Sequence, residues 1–295
     1  MLNNEQKEAV ETIYGPVMVV AWPGTGKTQI IGLRTANILL KTDINPENIF
    51  ITTFTEAWVI AIRERLLSFI WEDAYRVNVS TIHSFAADVI KTFPERFIEY
   101  KTGTTVDDVE ILEILKEILD KLIKNKKVVE LTSDYDTYYY LRDIKWAISN
   151  LKQEWVNFQK LEELIKHQEE VYKEELAEIK PTLKKYENTK LKQEKHIVKL
   201  TELNNIFIEY NKYLRKNHKY DFNDMINQLL LKEDLPRFKA ICIDEAQDLS
   251  PLQWKLFDKL KKYTLLIHYP VSCHYSHHNI LKLDINVKKL TCIDG

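Results

Sequence analysis

The chain has 295 residues, 45% of them hydrophobic, and its 42 Lys and Arg against 44 Asp and Glu leave a formal charge of −2. That is enough chain for one large or two modest globular domains. The charge balance excludes bulk attraction to nucleic acid, so such a partner must be held by a local patch. Residues 16–22, PVMVVAW, are a short β-branched apolar run, the pattern of a buried strand in a parallel sheet. A Gly-Thr-Gly turn follows, then TQIIGLRTANILL with apolar residues at helical spacing. NIFITTF (48–54) predicts a second strand and VIAIRERLLSFI a helix after it. RVNVSTIHSF predicts a third strand running into a helix, FAADVIKTF, which Pro94 closes. DDVEILEILKEILDKLIKNKK repeats its apolar residues as an amphipathic helix does. From there to about residue 218 the chain is charged, helical and nearly free of glycine, with 160–200 expected to form a solvated helix pair. Near 240 the α/β texture returns: KAICIDEAQD predicts a buried strand ending in carboxylates, PLQWKLFDKLKK a helix, and TLLI a further strand.

Strand, glycine turn and helix are the context of a phosphate-binding loop. The backbone N–H groups and helix N-terminus after Gly24, Thr25 and Gly26 would surround a β-phosphate. Lys27 would reach the β- and γ-phosphates, and the Thr28 hydroxyl would ligate Mg²⁺. The second half-site is ICIDEAQD. Asp244, at the end of an apolar strand, suits a water-bridged Mg²⁺ ligand, and Glu245 suits polarising or orienting an attacking water. Alone, the Asp-Glu pair would read as a helix N-cap. Two such half-sites, each at a strand's C-terminal edge, predict ATP hydrolysis.

The order of motifs resembles the UvrD/Rep-like superfamily 1 helicases. LNNEQKEAV is similar to their opening adenine-recognition motif, with Gln6 as the reader, and AWPGTGKT to their AGxGTGKT. ITTFTEA resembles the TFTNKAA segment that lies against single-stranded DNA, and STIHSF the T-x-HSF motif. YDFNDMI resembles the F-x-D segment that closes the helical insertion. IDEAQDLSPLQ resembles DEAQD-x-x-PLQ, in which Gln247 links nucleotide state to the DNA surface. The resemblance spans residues 1 to about 266. It implies an α/β fold: a RecA-like P-loop NTPase parallel sheet with a mostly α-helical insertion subdomain. Residues 1–98 plus 221–266 would be the first motor domain (1A) and 99–220 the insertion (1B). ATP and Mg²⁺ are the implied cofactors, with Gln6, Gly24, Thr25, Gly26, Lys27 and Thr28 at the nucleotide. Glu245, Asp244, Lys27 and Gln247 would be catalytic, and Thr28 and Asp244 would hold the metal. Single-stranded DNA is the implied partner, tracked by phosphate contacts and base stacking. Phe54, Thr55, His83 and Phe85 are the DNA-side candidates, the alternatives being that Phe85 is core and that His83 only holds its loop. Two departures stand out: Glu56 where Asn is common, and Gln29 where Arg is common.

The implied activity is an ATP-dependent 3′-to-5′ DNA helicase represented by its first motor domain. The helicase part of a RecB- or AddA-like helicase–nuclease and a non-catalytic nucleic-acid-binding remnant are the other readings. Past residue 266 the G-D-x-x-Q sensor does not follow, and the second motor domain with its arginine fingers is expected to be missing. Such arginines are worth roughly 10³ to 10⁵ in rate, so a lone first domain is expected to hydrolyse ATP slowly and not to translocate. Residues 267–295 are an atypical tail, best explained by a slipped reading frame. Its His268, His274, His277, His278 and Cys273 are zinc-ligand types without zinc-site spacing. Three scattered cysteines make no disulfide framework, the polar opening MLNNEQKEAV has no signal-peptide core, and no apolar run reaches the roughly 20 residues of a membrane span. A cytoplasmic protein with no membrane partner is expected.

Glycine occurs 6 times, where ordinary usage of about 7% would give roughly 20. Four of the six tryptophans stand where glycine is expected. Trp22 occupies a loop glycine of the resembled motif, and Trp58 lies in the loop or first turn after TFTE. Trp71 and Trp155 follow helices, at positions that favour left-handed glycine. Trp254 reads as an ordinary core aromatic, and Trp146 as either residue. A gene that reads UGA as glycine, translated with UGA as tryptophan, leaves this pattern; true tryptophans in a divergent protein are the alternative.

Overall fold

The computed structural model describes residues 2–15, 17–21, 24–97, 103–133, 135–179, 184–261 and 288–292. The chain divides into two compact units, one formed by residues 1–92 and 226–295, the other by 93–225. It is a mixed, largely helical protein with small parallel sheets. The first unit opens with α1 (Asn4–Glu11), β1 (Val17–Ala21), α2 (Lys27–Lys41), β2 (Ile49–Thr52), α3 (Glu56–Ile70), β3 (Asn78–Ser80) and α4 (Ile82–Thr92). The second contains β4 (Thr104–Thr105), α5 (Asp108–Lys124), α6 (Leu141–Gln153), α7 (Phe158–Ala177), α8 (Lys184–Lys216) and β5 (Lys219–Tyr220). Helix α9 (Phe222–Leu230) begins in the second unit and ends in the first, which then adds β6 (Ala240–Ile243), α10 (Pro251–Leu260) and β7 (Lys288–Cys292).

Every residue of β2 and β6 is buried, as their unbroken apolar runs require of parallel strands covered on both faces. They pair in parallel with β3 in the order β3-β2-β6, with Ile51 opposite both Val79 and Cys242. That register brings the segments after all three strands to one edge, and there the chemistry-bearing motifs begin. Ile31 and Ile38 of α2 pack with Val59, Ile62 and Leu66 of α3 onto Ile49, Ile51 and Cys242. Each such side chain contributes roughly 1.5–3 kcal/mol on burial. β1 pairs in parallel with β7, Val19 opposite Leu290, so the atypical tail supplies a strand beside the one that leads into the glycine turn. The strand expected at TLLI and the histidine cluster lie outside the described residues.

Two side chains of α2 fix α1. The fully buried Arg34 guanidinium donates to the Ala9 carbonyl, and Asn37 donates to the Val10 carbonyl at 2.8 Å. Those carbonyls belong to the end of a helix, where they have no intrahelical partner.

The second unit has its own core, in which Leu115 and Leu119 of α5 and Ile144 and Ile148 of α6 meet Ile206, Phe207 and Tyr210 of α8. Helices α7 and α8 form the expected Lys/Glu-rich pair. Glu202 of α8 accepts the backbone N–H groups of Val129, Glu130 and Leu131 at 2.7 to 3.1 Å. Lys152 of α6 is buried between two aspartates, with its ammonium 2.6 Å from Asp221 and 2.8 Å from both Asp224 oxygens. Among the described residues, no helix is long and apolar enough to cross a membrane.

Candidate functional site

The glycine turn reaches α2 through two left-handed residues, Gly24 at φ 85° and Gly26 at φ 82°. Glycine adopts that conformation without the steric cost a Cβ would bring. Gly26 is the N-cap of α2 and offers no side chain to the first turn, so the N–H groups there are left to face an anion. Gln6 is held by a reciprocal capping box with Asn3, and its amide donates to the Thr25 carbonyl at 3.0 Å. The Gln6 side chain is thus fixed directly against the glycine turn.

The two half-sites meet. Lys27 Nζ lies 2.6 Å from Glu245 Oε1, and Gln247 Nε2 donates to Glu245 Oε2 at 2.6 Å. Glu245 has a left-handed backbone, φ 51° and ψ 45°, a conformation that costs a non-glycine residue about 1–3 kcal/mol and clusters at functional sites. Asp244 is 7% exposed. Its backbone N–H donates to the Thr52 carbonyl at 2.9 Å, and its Oδ2 accepts the Thr53 hydroxyl at 3.2 Å. Burial, and next the charge of Glu245, push the Asp244 carboxyl above the usual range. The same two causes, in the same order, raise Asp248. Three acids therefore crowd one strand end with Lys27 beside them.

Thr28 and Asp244 offer oxygen donors. Mg²⁺ typically takes one or two protein carboxylates, with water and substrate phosphates completing its shell. The donor set fits that ion, although among the described residues no group of three or more His, Cys, Asp or Glu has metal-holding geometry.

The segments after β2 and β3 form a second surface. Phe54 is 62% exposed, and Thr55 caps α3 by accepting the Trp58 N–H at 3.3 Å. His83 lines a cavity of about 70 Å³ with Phe54, Thr53, Asp244 and Gln253, and burial pushes its imidazole below the usual value. Phe85 requires a correction. It is 8% exposed, its ring 4.8 Å from Phe50 and 5.9 Å from Phe238, so it is core and presents no face to a base. The reason is that α4 starts at Ile82, so Ile82, Phe85, Ala86, Val89 and Ile90 share its buried face.

Glu56 has a role that the motif comparison did not suggest. Its carboxylate accepts the Ser84 hydroxyl at 2.6 Å, and the single proton of the Thr81 hydroxyl is shared between Glu56 at 3.2 Å and Ser84 Oγ at 2.9 Å. This clasp joins the start of α3 to the start of α4. No periodicity marks it; the only sequence signal was an acid standing where an amide is common.

A family model described as the UvrD/REP helicase N-terminal domain matches residues 2–267. The chain is 25% identical over 264 residues to an ATP-dependent DNA helicase PcrA of Staphylococcus epidermidis. It is 26% identical over 265 residues to a PcrA of Staphylococcus aureus. Each alignment covers 86% of this chain and 31% of the relative, so the chain spans about a third of the length of the curated relatives it matches.

Proposed function

Because the chain belongs to the UvrD/REP helicase N-terminal domain family, we propose that it is the ATP-binding first motor domain of a 3′-to-5′ DNA helicase. In this reading the unit of residues 1–92 and 226–295 is RecA-like and the unit of 93–225 is its helical insertion. The observation that carries the proposal is the 2.6 Å contact of Lys27 with Glu245, residues 218 apart in sequence that bring phosphate-binding and water-activating chemistry together. Gln6 on the Thr25 carbonyl supports an adenine reader anchored to the phosphate loop.

The residues divide the work. The amides of Gly24, Thr25 and Gly26 and the start of α2 cradle the β-phosphate. Lys27 exchanges the Glu245 carboxylate for the more highly charged γ-phosphate, and Glu245, still held by Gln247, is then free to orient water. Thr28 and Asp244 would hold Mg²⁺, which supplies charge neutralisation at the phosphates when bound. Phe54, Thr55 and His83 form the face for single-stranded DNA, Phe54 as the stacking platform. Arginine fingers belong to a second motor domain, so the rate of this part alone stays low.

Titration calorimetry with Mg·ATP, followed by phosphate release with and without single-stranded oligonucleotide, tests the proposal. The chain binds ATP, Lys27→Ala abolishes binding, and Glu245→Gln binds but does not hydrolyse. Equal ATP binding by the parent and Lys27→Ala would overturn it.

A further inference from the structure

Two tryptophans stand on backbone that tryptophan does not favour. Trp71 ends α3 with its N–H on the Leu67 carbonyl, at φ 49° and ψ −126°. Those angles are close to the first central position of a type II′ turn, which glycine dominates. Its side chain is 80% exposed, so little packing compensates for the conformation. Trp155, at φ 58°, follows α6. Its N–H donates to the Lys152 carbonyl at 3.1 Å, and the Val156 N–H donates to Leu151 at 2.8 Å. The second bond is the long one of a Schellman ending, whose left-handed residue is usually glycine.

Left-handed backbone is not by itself diagnostic, since Lys126, His218 and Glu245 share it. The residue type is what decides. Among the described residues five non-glycines have positive φ, and two of them are tryptophan, although tryptophan supplies only 6 of 295 residues. The same chain has only 6 glycines. Excess of one residue at the other's positions calls for a common cause. UGA differs from the glycine codon GGA in its first base and from the tryptophan codon UGG in its third, so one reassigned codon exchanges these two residues.

We propose that residues 71 and 155 are glycine in the protein as its cell makes it, each encoded by UGA, and extend the same codon to 22 and 58, although Trp58 lies within α3 on backbone that makes no demand for glycine. The consequence at 58 concerns the nucleotide site. Trp58 lies in the first turn of α3, 51% exposed, and lines a cleft of about 370 Å³ with Thr28, Ala61, Glu64, Arg65 and Ser68. Glycine at 58 removes the indole from beside Thr28. Position 22 lies outside the described residues and follows Ala21 in the sequence. The functional meaning of 22 and 58 rests on the ATP-site reading; the assignment at 71 and 155 does not. Trp254, on α10 with its ring 6.3 Å from Phe257, is expected to be encoded by UGG.

The deciding measurement is the gene's codons together with peptide mass spectrometry of the protein from its native cell. UGA and glycine-containing peptides are expected at 71 and 155, and UGG at 254. UGG at 71 or 155, or tryptophan in either native peptide, overturns the proposal; UGG at 22 or 58 overturns its extension to the nucleotide site. In recombinant protein, Trp71→Gly and Trp155→Gly each raise the thermal midpoint, by roughly 2–4 °C for a chain of this size. A fall at either position also overturns it. Failure of Trp22→Gly/Trp58→Gly protein to bind ATP, with UGA found at 71 and 155, overturns the helicase reading and leaves the codon assignment standing.

Discussion

Replacing Lys152 with methionine leaves a buried pair of aspartates in the second unit without its cation. The Lys152 side chain is 4% exposed, and those of Asp221 and Asp224 are 8% and 20% exposed. Burial pulls the lysine's pKa down, but the two aspartates outweigh it and hold the ammonium above its usual range. Asp224 is pushed up first by burial and also by the charge of Asp221. The carboxylates are tied together at the start of α9, where Asp224 N–H donates to Asp221 at 3.0 Å and Asp221 N–H donates back at 3.2 Å. The Tyr210 hydroxyl donates to Asp221 at 3.1 Å. They cannot simply move apart. Lys152→Met leaves this pair without its cation, and breaking a buried ion pair from one side costs about 3–5 kcal/mol. The pH dependence has a definite sign. In the variant Asp224 has a folded pKa above its unfolded value, so the penalty is absent below the unfolded value and grows as pH rises through the folded one. Urea unfolding at neutral and acidic pH, followed by far-ultraviolet circular dichroism, reads both quantities. The triple variant Lys152→Met/Asp221→Asn/Asp224→Asn recovers most of the loss, because no uncompensated charge remains buried. A loss below about 1 kcal/mol at neutral pH, or one that does not shrink in acid, would refute the reasoning.

Two further predictions concern the first unit. Asp244→Asn raises the thermal midpoint at neutral pH, because the raised carboxyl makes the parent lose stability as pH rises through its folded pKa. That gain vanishes in acid, and on the proposed reading Mg²⁺-dependent ATP hydrolysis is lost; scanning fluorimetry across pH and phosphate release measure the two. Glu56→Gln keeps an acceptor for Ser84 and Thr81 while removing a charge from the surface that carries Phe54. On the proposed reading, single-stranded DNA then binds severalfold more tightly at low salt, with the gain shrinking as salt screens it. Fluorescence anisotropy at two ionic strengths is the check, and unchanged affinity at low salt would move the DNA face away from Glu56.

The parts of the fold legible in the sequence are those whose pattern needs no partner to interpret. IFIT and AICI are apolar without alternation, and both are strands buried along their whole length. Leu115, Ile118, Leu119 and Leu122 repeat at helical spacing, and all are buried on α5. The misplacement of Phe85 came from a boundary. With the helix taken to start at Phe85, that residue stands at an exposed first turn. In the structure Thr81 accepts the Ser84 N–H at 3.1 Å, and the helix begins at Ile82. Three residues of offset rotate an aromatic ring from surface to core.

The candidate site was legible as residue types but not as pairings. Glycine, lysine, threonine and the acids of ICIDEAQD, in their order along the chain, are the residue types on which the proposed phosphate and metal chemistry rests. Nothing in that order says that Lys27 meets Glu245 rather than Asp244, or that Glu245 takes a left-handed backbone to accept both Lys27 and Gln247. Those choices follow from the parallel register of β2 and β6, whose pairing ends with Thr52 opposite Ile243 and whose next contact is the Asp244 N–H on the Thr52 carbonyl. That bond holds Asp244 at the strand end, where burial and Thr53 fix its carboxylate. The next residue must then turn away from the sheet. Glu245 makes that turn, at a conformational cost, and the turn carries its carboxylate to Lys27 after the glycine turn.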